Sequence, residues 1–335
     1  MNCLFEISKE HITLPKSEIF SSLKAYEIDF NILESNDDVI ILKVDATSKI
    51  IKNFSARLSY TNFVDEFLFS SLPSLKNIKK NSLYYKINLN GTIAIKYKNR
   101  SNKVDSQPII KTLAGIYTKN RTVDLENPDI EIRVLITDKK VYVGLKIAEI
   151  NKSQYEERKV QNRPFFSPIS LHPKLARALV NISSIKEGEI LLDPFCGTGG
   201  LLIEAGLIGA KIIGSDIEEK MINGCKKTLD FYKINNYKLF CSDIGEVNKF
   251  ISKVDAIVTD LPYGKSTTTK GEKMDLLYER AFESMSKLLK DKRFAVIGLS
   301  DKKYISIGQK YFRLVETHIL KVHKSLERYF IVFEN

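Results

Sequence analysis

The segment Ile190-Leu-Leu-Asp-Pro-Phe-Cys-Gly-Thr-Gly-Gly200 decides the fold of this chain. It begins with a short apolar run that ends in Asp193, continues as a loop that contains Gly197 and Gly199, and leads into a second apolar run at 201–205. This pattern predicts a strand, a glycine turn and a helix. Glycines let the backbone approach a ligand closely, and the first turn of a helix offers unpaired N–H groups. The segment therefore predicts a site for a nucleotide-like cofactor, although a tight turn without a ligand has the same local pattern.

The residues of this loop distinguish between cofactors. A dinucleotide site needs a small residue at the sixth position of G-x-G-x-x-G, where this chain has Leu202, and an acid at the end of the strand repels phosphates. The loop instead resembles the S-adenosyl-L-methionine loop of Rossmann-like methyltransferases, whose ligand carries an ammonium group, a sulfonium and no phosphate. The resemblance implies cofactor contacts from Asp193, Phe195, Cys196, Gly197, Thr198 and Gly199. A nicotinamide site is the alternative.

A second acid follows the next predicted strand, at 211–215. This strand ends in Asp216, seventeen residues after Gly199, which is close to the roughly twenty-residue spacing of the ribose-binding acid in nucleotide-binding folds. We therefore expect Asp216, with Ile217 beside it, to bind the ribose hydroxyls of the cofactor. An N-cap of the following helix is the alternative role for Asp216.

A third acid, Asp243, follows a strand-like run at 237–240. Its place resembles that of the methyltransferase acid that meets the adenine amino group, and Ile244 lies beside it. Asp and Ser are also ordinary turn residues, so this pattern is less specific than the glycine loop. The sequence predicts Asp243 and Ile244 as the adenine end of the cofactor site.

The fourth predicted strand, at 255–259, leads into Asp260-Leu-Pro-Tyr-Gly264. This position is the carboxyl end of a parallel strand, where ligands bind in open α/β sheets. The segment resembles the [D/N]-P-P-[Y/F] motif of methyltransferases that act on exocyclic or amide nitrogens, with Leu261 in place of the first proline. We expect the Asp260 carboxylate and the Leu261 carbonyl to hold the two N–H groups of an amine, Pro262 to fix the loop and Tyr263 to stack on the base. A surface turn is the alternative.

The composition is that of a protein with an ordinary hydrophobic core. The chain has 335 residues, 43% of them hydrophobic and 28% charged, which suffices for two or three domains. It shows no signal-peptide pattern and no apolar run near 18 residues, so we expect a cytoplasmic protein without a membrane span. Its four cysteines lack C-x-x-C spacing and are expected to be reduced thiols, with no metal site.

The positive charge is concentrated in one part of the chain. Eleven basic residues and one acid lie between Lys76 and Thr122, whereas residues 1–50 have a net charge of −4. Tyrosines are interleaved with this basic block at positions 84, 85, 97 and 117, which predicts a polyanion-binding surface. We expect RNA contacts from Lys86, Lys96, Lys98, Arg100, Lys103, Lys119 and Arg121. A solvated surface that aids solubility is the alternative.

The first 150 residues read as an α+β region. The expected elements are a strand at 2–7, a helix at 17–26, a strand at 39–44, an amphipathic segment at 54–69, a hairpin of strands 85–89 and 92–97 around Asn90-Gly91, a helix at 108–117, and a hairpin of strands 130–136 and 141–147. Gly91, the basic alternation after it and the stretch Val123-Asp-Leu-Glu-Asn-Pro-Asp129 resemble a THUMP domain, an RNA-binding module of tRNA-modifying enzymes.

The C-terminal half alternates strand and helix, which predicts an α/β fold with a mostly parallel sheet. A helix at 175–182 precedes the glycine segment, a helix at 274–289 and a strand at 294–299 follow the catalytic segment, and runs at 312–317 and 329–333 are expected to close the sheet as an antiparallel pair. The expected domains are a ferredoxin-like region at 1–80, the THUMP core at 81–150, a linker at 151–164, and a Rossmann-like class I methyltransferase domain with a seven-stranded sheet at 165–335.

Four segments carry a resemblance to one enzyme family. They are 163–168, Pro173-Lys-Leu-Ala-Arg-Ala-Leu-Val-Asn181, the glycine loop together with D-L-P-Y-G-K-S, and Val322-His-Lys-Ser-Leu326. Together they resemble the archaeal tRNA guanosine-10 N2-methyltransferases. The resemblance implies transfer of one or two methyl groups from S-adenosyl-L-methionine to N2 of a tRNA guanosine, with the THUMP region holding the acceptor end. It also implies tRNA as a partner and, as in eukaryotic members, a small zinc-containing activator protein, or none.

Three alternatives to this function remain open from the sequence. The D-x-P-Y pattern does not name the base, so another tRNA or rRNA guanosine or N6 of adenine is compatible with it. A non-catalytic RNA-binding protein with an inactive transferase fold is the alternative from a different class. A nicotinamide oxidoreductase is the third.

Overall fold

The computed structural model of the protein describes residues 1–165, 167, 170–263, 272–323 and 326–335, in two compact units. The first unit contains Met1–Glu10, Ile28–Ala56 and Thr61–Ile150, and the second contains His11–Glu27, Arg57–Tyr60 and Asn151–Asn335. In the described part of the chain, no helix has both the length and the apolar character that crossing a bilayer requires.

The strands are numbered along the chain. Those of the first unit are β1 (Asn2–Ile7), β2 (Phe30–Ser35), β3 (Val39–Val44), β4 (Thr61–Ser71), β5 (Ile93–Asn99), β6 (Ile130–Ile136) and β7 (Val141–Glu149). Those of the second unit are β8 (Ile190–Asp193), β9 (Lys211–Asp216), β10 (Tyr237–Cys241), β11 (Val254–Asp260), β12 (Leu289–Leu299), β13 (Arg313–His323) and β14 (Leu326–Glu334).

The helices follow the same numbering. They are α1 (Leu14–Ala25), α2 (Ser48–Ser55), α3 (Leu75–Tyr84), α4 (Ser106–Tyr117), α5 (Ser153–Glu157), α6 (Pro173–Ile182), α7 (Gly200–Leu207), α8 (Glu219–Phe231), α9 (Met274–Leu288) and α10 (Ile305–Gly308). Short 3-10 helices occur at Val160–Asn162, Ile244–Lys249 and Lys302–Tyr304.

One sheet organises the first unit, with the strand order β2-β3-β1-β4-β7-β6-β5. Its neighbouring strands are antiparallel except for β5 and β6, which are parallel. The predicted strands at 2–7 and 39–44, the helix at 108–117 and the hairpin of 130–136 with 141–147 are confirmed. The regions expected at 1–80 and 81–150 both contribute strands to this sheet. The identification of the first as ferredoxin-like and of the second as a THUMP core stays a prediction.

The predicted hairpin around Asn90-Gly91 is wrong. Residues 85–89 form no strand, and β5 pairs with β6 instead. Gly91 has φ +124°, and a Cβ there would lie 2.7 Å from the Asp129 side chain. The N–H of Thr92 donates to Asp129 Oδ2 at 2.8 Å, so the turn joins the distant 123–129 stretch instead of a local strand. The predicted turn at Gly91 therefore exists, but the residue to which it is bonded, Asp129, is remote in sequence.

One other expectation for this unit is wrong, and one strand was missed. Residues 54–69 do not form one amphipathic helix: they contain the end of α2 and most of β4. Strand β2 was not predicted, because its residues are mostly exposed and show no apolar face. An edge strand of this kind is held by its hydrogen bonds to β3 more than by burial.

The second unit contains the predicted, mostly parallel seven-stranded sheet, with the order β10-β9-β8-β11-β12-β14-β13. Strand β14 is antiparallel to both of its neighbours, as expected for the final pair. This arrangement confirms the class I methyltransferase fold. The chain order reverses between the adjacent strands β8 and β11, and such a switch point creates a crevice at the carboxyl ends of the strands. Asp193 and Asp260 end these two strands.

Helix α1 belongs to the second unit although it lies near the N-terminus. Glu18 on α1 is fully buried and accepts hydrogen bonds of 2.8 Å from the N–H groups of Ser59 and Tyr60 and from Asn181 Nδ2 on α6. Leu14 joins the hydrophobic core of this unit. The transferase unit is therefore larger than the expected 165–335 segment, because it includes 11–27 and 57–60.

The segment expected as a linker, 151–164, is also part of the second unit. Tyr155 on α5 is 1% exposed and donates its hydroxyl to the Leu58 carbonyl at 3.0 Å. Arg158 pairs with the buried Glu204 at 2.8 Å. The expectation of an unpacked linker was wrong, because one aromatic ring and one buried ion pair anchor the segment without producing an apolar periodicity.

Candidate active site

A cavity of about 570 Å³ lies at the carboxyl ends of the central strands of the second unit. All four expected catalytic residues, Asp260–Tyr263, line it. The lining also includes most of the residues expected at the cofactor, namely Asp193, Phe195, Cys196, Gly197, Thr198, Asp216, Ile217 and Asp243. Of the described residues expected there, Gly199 and Ile244 are outside the lining. Gly199 is the N-cap of α7, and the side chain of Ile244 is buried in the hydrophobic core, so a cofactor contact from Ile244 stays a prediction for its backbone alone.

The glycine turn takes backbone conformations that only glycine adopts readily. Gly197 has φ +49° and Gly199 has φ +82°. At Gly199 a Cβ would also lie 2.6 Å from the Sγ atom of Cys225 on α8, so a side chain has no room there. The turn therefore brings backbone and the start of α7 close to the cavity.

Asp216 joins the glycine turn to the next strand. Its Oδ2 accepts the N–H of Gly197 at 3.0 Å, and its Oδ1 accepts the N–H of Glu218 at 2.9 Å. Glu218 is the N-cap residue of α8, so Asp216 orders the turn before that helix while it lines the cavity. Burial raises the pKa of the Asp216 carboxyl, and the two N–H groups act in the opposite direction.

Asp193 connects β8 to β11. Its carboxylate is 2% exposed, and Oδ1 accepts the Thr259 hydroxyl at 2.7 Å and the N–H of Phe195 at 3.2 Å. Burial raises the pKa of Asp193 to about 7, and the charges of Asp260 and Asp216 act in the same direction. The residue that starts the glycine turn is therefore bonded to the residue that precedes Asp260.

Asp243 follows β10 and also lines the cavity. Its Oδ1 accepts the N–H of Gly245 at 2.8 Å and pairs with Arg280 on α9. Arg280 also pairs with Glu272 at 2.7 Å, so one guanidinium joins two acids of the cavity lining. Sequence reasoning missed Arg280, because no local motif marks a partner 37 residues away.

The catalytic tetrad is held by the sheet and by α9. The N–H of Leu261 donates to the Gly298 carbonyl of β12 at 3.0 Å, and Tyr278 donates its hydroxyl to the Pro262 carbonyl at 2.9 Å. Asp260 Oδ1 accepts the hydroxyl of Tyr263, and burial raises the pKa of both groups. The expected amine acceptor therefore lies at the cavity, with its loop fixed at two points.

Sequence reasoning also missed Arg328. This residue of β14 donates from Nη2 to Asp260 Oδ2 and to the Tyr263 hydroxyl, and its guanidinium lies 4.6 Å from the centre of the Tyr263 ring. The resemblance at 322–326 ends two residues before it, and Lys324, Ser325 and the side chains of 322–326 are outside the described residues. The motif residues Gly264, Lys265 and Ser266, together with Phe166 and Pro168, are outside them as well.

The charge of the cavity discriminates between cofactors. Its described lining contains neither lysine nor arginine. It contains six carboxylic acids, namely Asp193, Asp216, Glu218, Asp243, Asp260 and Glu272. Such a lining disfavours a pyrophosphate and suits a ligand with an ammonium and a sulfonium. The hydroxyls of Ser170 and Thr198 lie 2.9 Å apart at the same cavity and add neutral polar groups. Arg280 pairs with Asp243 and Glu272, and Arg328 pairs with Asp260, so part of this negative charge is neutralised within the protein. The described residues therefore fit S-adenosylmethionine better than a dinucleotide.

The basic residues expected to bind RNA lie in the first unit, and they separate into two groups. Lys86, Lys96, Lys98, Lys103 and Lys119 are exposed, although Lys96 lies 3.1 Å from Glu131. Arg100 is half-buried, with its side chain 12% exposed, and pairs with Glu6 at 2.8 Å and Asp38 at 3.0 Å. The expectation that Arg100 contacts phosphate is wrong, because these acids occupy its guanidinium.

Two further side chains of the basic block have internal partners. The Arg121 guanidinium donates to the carbonyls of Ile87 and Leu89 at 2.6 and 2.7 Å, so it secures the segment before β5. Tyr117 is 5% exposed, and its hydroxyl donates to the Tyr85 carbonyl at 3.0 Å. Tyr117 is therefore a core residue, whereas Tyr84 and Tyr97 are exposed at 78% and 44%.

Two family models match the chain. One, described as an RMKL-like methyltransferase domain, matches residues 161–329, which include the glycine turn and the catalytic tetrad. The other, described as a DNA methylase, matches residues 34–227 and therefore ends before β11 and Asp260.

Two solved structures share the fold along almost the whole chain. TrmN from Thermus thermophilus superposes with a TM-score of 0.57 at 15% identity, with all of both chains covered. The methyltransferase SMU.472, solved in complex with SAH, gives a TM-score of 0.55 at 13% identity and covers 99% of this chain and 98% of its own. At these identities the likeness shows the fold alone.

Sequence relatives also cover the full length. The tRNA (guanine(10)-N2)-dimethyltransferase of Methanothermobacter thermautotrophicus is 33% identical over 100% of this chain and 99% of its own. That of Methanocaldococcus jannaschii is 32% identical over 98% and 99%. The tRNA (guanine(10)-N(2))-methyltransferase of Saccharomyces cerevisiae is 30% identical over 38% of this chain and 32% of its own. The chain belongs to the family of tRNA (guanine(10)-N2)-dimethyltransferases.

Proposed function

We propose that this enzyme transfers one or two methyl groups from S-adenosyl-L-methionine to the exocyclic N2 of guanosine 10 in tRNA. One observation carries the proposal: the Gly197 turn and Asp260 line the same cavity. The names of the full-length relatives supply the nucleotide, its position and the prospect of a second methyl group.

The cofactor roles follow from the acids at the ends of the strands. We assign the ribose hydroxyls to Asp216, the adenine amino group to Asp243, and the remaining polar groups to the backbone of the 197–199 turn and to Thr198. When bound, S-adenosylmethionine supplies a methyl group on a positively charged sulfur. The acidic lining described above supports this assignment, because it attracts a cation and its described residues include neither lysine nor arginine.

Asp260 and Leu261 are assigned the hydrogen bonds to the substrate amine. The 2-amino group of guanine is a poor nucleophile, because its lone pair is delocalised into the ring. The Asp260 carboxylate accepts one N–H and the Leu261 carbonyl accepts the other, and the nitrogen then becomes pyramidal with its lone pair directed away from both acceptors. Holding the amine in this way contributes through position and through fixed charge. The amine loses one proton on methylation, which the Asp260 carboxylate accepts and then releases to solvent. The one N–H that remains is then held by the same carboxylate.

The other two residues of the tetrad fix the base. Pro262 restricts the backbone, and its carbonyl is bonded to Tyr278 on α9. The Tyr263 ring supplies a flat apolar surface on which a purine stacks. These roles place the specificity for a flat base in the loop that follows β11.

The exposed lysines of the first unit are our proposed contacts to the tRNA backbone. Lys86, Lys98, Lys103 and Lys119 are exposed, and Tyr84 and Tyr97 offer rings beside them in sequence. Binding through such residues releases counterions and weakens as salt increases. Whether a small zinc-containing protein is also needed is decided by assaying the purified chain alone.

Product analysis tests the proposal. The purified chain is incubated with labelled S-adenosylmethionine and a tRNA transcript, and the RNA is digested to nucleosides and analysed by mass spectrometry. We expect N2-methylguanosine and N2,N2-dimethylguanosine, and none from a transcript with adenosine at position 10. N6-methyladenosine would instead support the second candidate, an adenine N6-methyltransferase, which the DNA methylase match favours and with which the D-x-P-Y pattern is compatible. RNA binding without cofactor binding would support a non-catalytic protein.

A further inference from the structure

Three neighbouring strands bring Arg328 to the catalytic acid. Asp260 on β11 lies opposite Gly298 on β12, and Gly298 lies opposite Phe330 on β14. Arg328 is two residues before Phe330 and therefore on the same face of the sheet. The side chain of Asp260 reaches across β12, because a Cβ on Gly298 would lie only 2.2 Å from Asp260 Oδ1. The missing side chain at Gly298 makes this contact between strands possible.

The guanidinium of Arg328 is shared between the acid and the two aromatic rings. Its Nη2 donates to Asp260 Oδ2 and to the hydroxyl of Tyr263. Its carbon lies 4.6 Å from the centre of the Tyr263 ring and 5.7 Å from that of Phe330. The side chains of Arg328 and Asp260 are each only 16% exposed. Arginine suits such a place because its planar group both stacks on rings and donates to a carboxylate.

We propose that Arg328 is the positioning residue of this site: it holds Oδ2 of Asp260 and one face of Tyr263, so that Oδ1 is directed to the substrate amine. The inference rests on the proposed function. In the structure the Tyr263 hydroxyl donates to Oδ1, the atom assigned to the amine. When the base enters, its N–H replaces this hydroxyl at Oδ1, while Arg328 keeps Oδ2 in place.

Arg328 also sets the charge of the acceptor. Burial raises the pKa of Asp260, and the positive charge of Arg328 is the largest influence that lowers it. The other titratable groups that interact with Asp260 are Asp193, Tyr263 and Tyr278, and none of these three carries a positive charge. Within the described residues, Arg328 is therefore the charged group that favours the ionised acceptor, and the hydrogen bond from the Tyr263 hydroxyl acts in the same direction. Only the ionised form accepts an N–H on both oxygens.

The kinetic test compares Arg328→Gln and Arg328→Lys with the wild type. We expect Arg328→Gln to lower kcat on the order of 100-fold at pH 7, with the Kd for S-adenosylmethionine within about twofold. The acid limb of kcat should move up by about one pH unit or more, because an opposite charge has been removed from a carboxylate. Arg328→Lys keeps the positive charge but loses the planar guanidinium that stacks on the Tyr263 ring. We therefore expect its acid limb to lie near that of the wild type, while its kcat stays well below the wild-type value. Arg313→Gln, an exposed substitution in the same hairpin, is the matched control.

A stability cycle supplies a readout that does not depend on activity. Removing Arg328 leaves a buried carboxylate without its charge partner, which is costly only when that carboxylate is ionised. We expect Arg328→Gln to lower Tm more at pH 8 than at pH 5.5, by about 3 °C or more, and Asp260→Asn in the same chain to recover most of the difference. An equal loss at both pH values with no recovery would overturn the pairing.

The two tests separate this inference from the proposed function. If the wild type makes no N2-methylguanosine, the function fails, whatever the stability cycle shows. If the wild type is active and folded Arg328→Gln keeps wild-type kcat and the wild-type acid limb, the function stands and the positioning role of Arg328 is wrong.

Discussion

Thr259 donates its hydroxyl to the carboxylate of Asp193 over 2.7 Å, and this bond joins the carboxyl ends of the neighbouring strands β8 and β11. The glycine turn begins directly after Asp193, and the catalytic tetrad begins directly after Thr259. The bond is buried, so it holds the glycine turn and Asp260, the proposed cofactor loop and amine acceptor, in one frame. The chemistry proposed above depends on this frame more than on any single side chain at the surface.

Gly199→Ala should disable the cofactor turn. The residue has φ +82°, and a Cβ would lie 2.6 Å from Cys225 Sγ, so both the backbone and the packing oppose a side chain. We expect the Kd for S-adenosylmethionine, measured by calorimetry, to rise at least about tenfold, together with a loss of stability of about 1–3 kcal/mol. Gly115→Ala on α4 is the control, because nothing lies within 4 Å of its Cβ position and alanine favours a helix. Unchanged cofactor affinity in Gly199→Ala would contradict the role of the turn.

Glu18→Gln should destabilise the transferase unit although residue 18 is far from the cavity residues in sequence. The fully buried carboxylate accepts from Ser59 and Asn181 on Oε1 and from Tyr60 on Oε2. A glutamine keeps only one acceptor oxygen, so its amide nitrogen must face at least one of these donors. We expect a loss of about 1–3 kcal/mol in the free energy of unfolding by urea. Glu27→Gln, at a side chain that is 77% exposed, should cost far less. Equal costs would show that α1 is not part of this core.

His11 should make the protein sensitive to acid. Burial is the main reason why its pKa is lowered to about 4, and the nearby His318 ring lowers it further. The unfolded chain takes up this proton near pH 6.5 and the folded chain near pH 4, so stability is lost as the pH falls between these values, by roughly 3 kcal/mol in total. His11→Asn keeps an acceptor for the N–H of Leu14 and should flatten this dependence in urea unfolding between pH 7 and 4.5. The same slope in both proteins would refute the assignment.

Exposed lysines of the basic block should contribute to tRNA binding. Lys98→Glu with Lys103→Glu should weaken tRNA affinity and reduce the slope of log K against log salt by about one to two, because fewer counterions are released. Lys49→Glu with Lys52→Glu changes the charge of the same unit equally, outside the basic block, and should have a smaller effect. Equal effects of the two pairs would mean that only net charge matters. Arg100 is left out, because its partners are Glu6 and Asp38.

The parts of the fold that sequence predicted are those encoded by contiguous residues. Asp193, Asp216 and Asp260 each end an apolar run, so their strands and their common edge followed from local pattern and from the parallel order of the sheet. Arg328 and Arg280 did not follow, because each reaches its acid through the order of strands or through a helix distant in the chain. The same holds for Gly91 and for Glu18, whose partners are remote in sequence. Local motifs indicate the chemistry, whereas the residues that hold it in place are defined by tertiary contacts.

The identity of the acceptor is tested most directly by Asp260→Ala. The alanine removes both carboxylate oxygens, whereas an asparagine would keep one oxygen that accepts an N–H. With a tRNA transcript and labelled S-adenosylmethionine, the wild type should form N2-methylated guanosine at position 10. The variant should form at least about 1,000-fold less per unit time with a Kd for the cofactor within about twofold. An Asp260→Ala enzyme that methylates guanosine 10 at the wild-type rate would contradict the account.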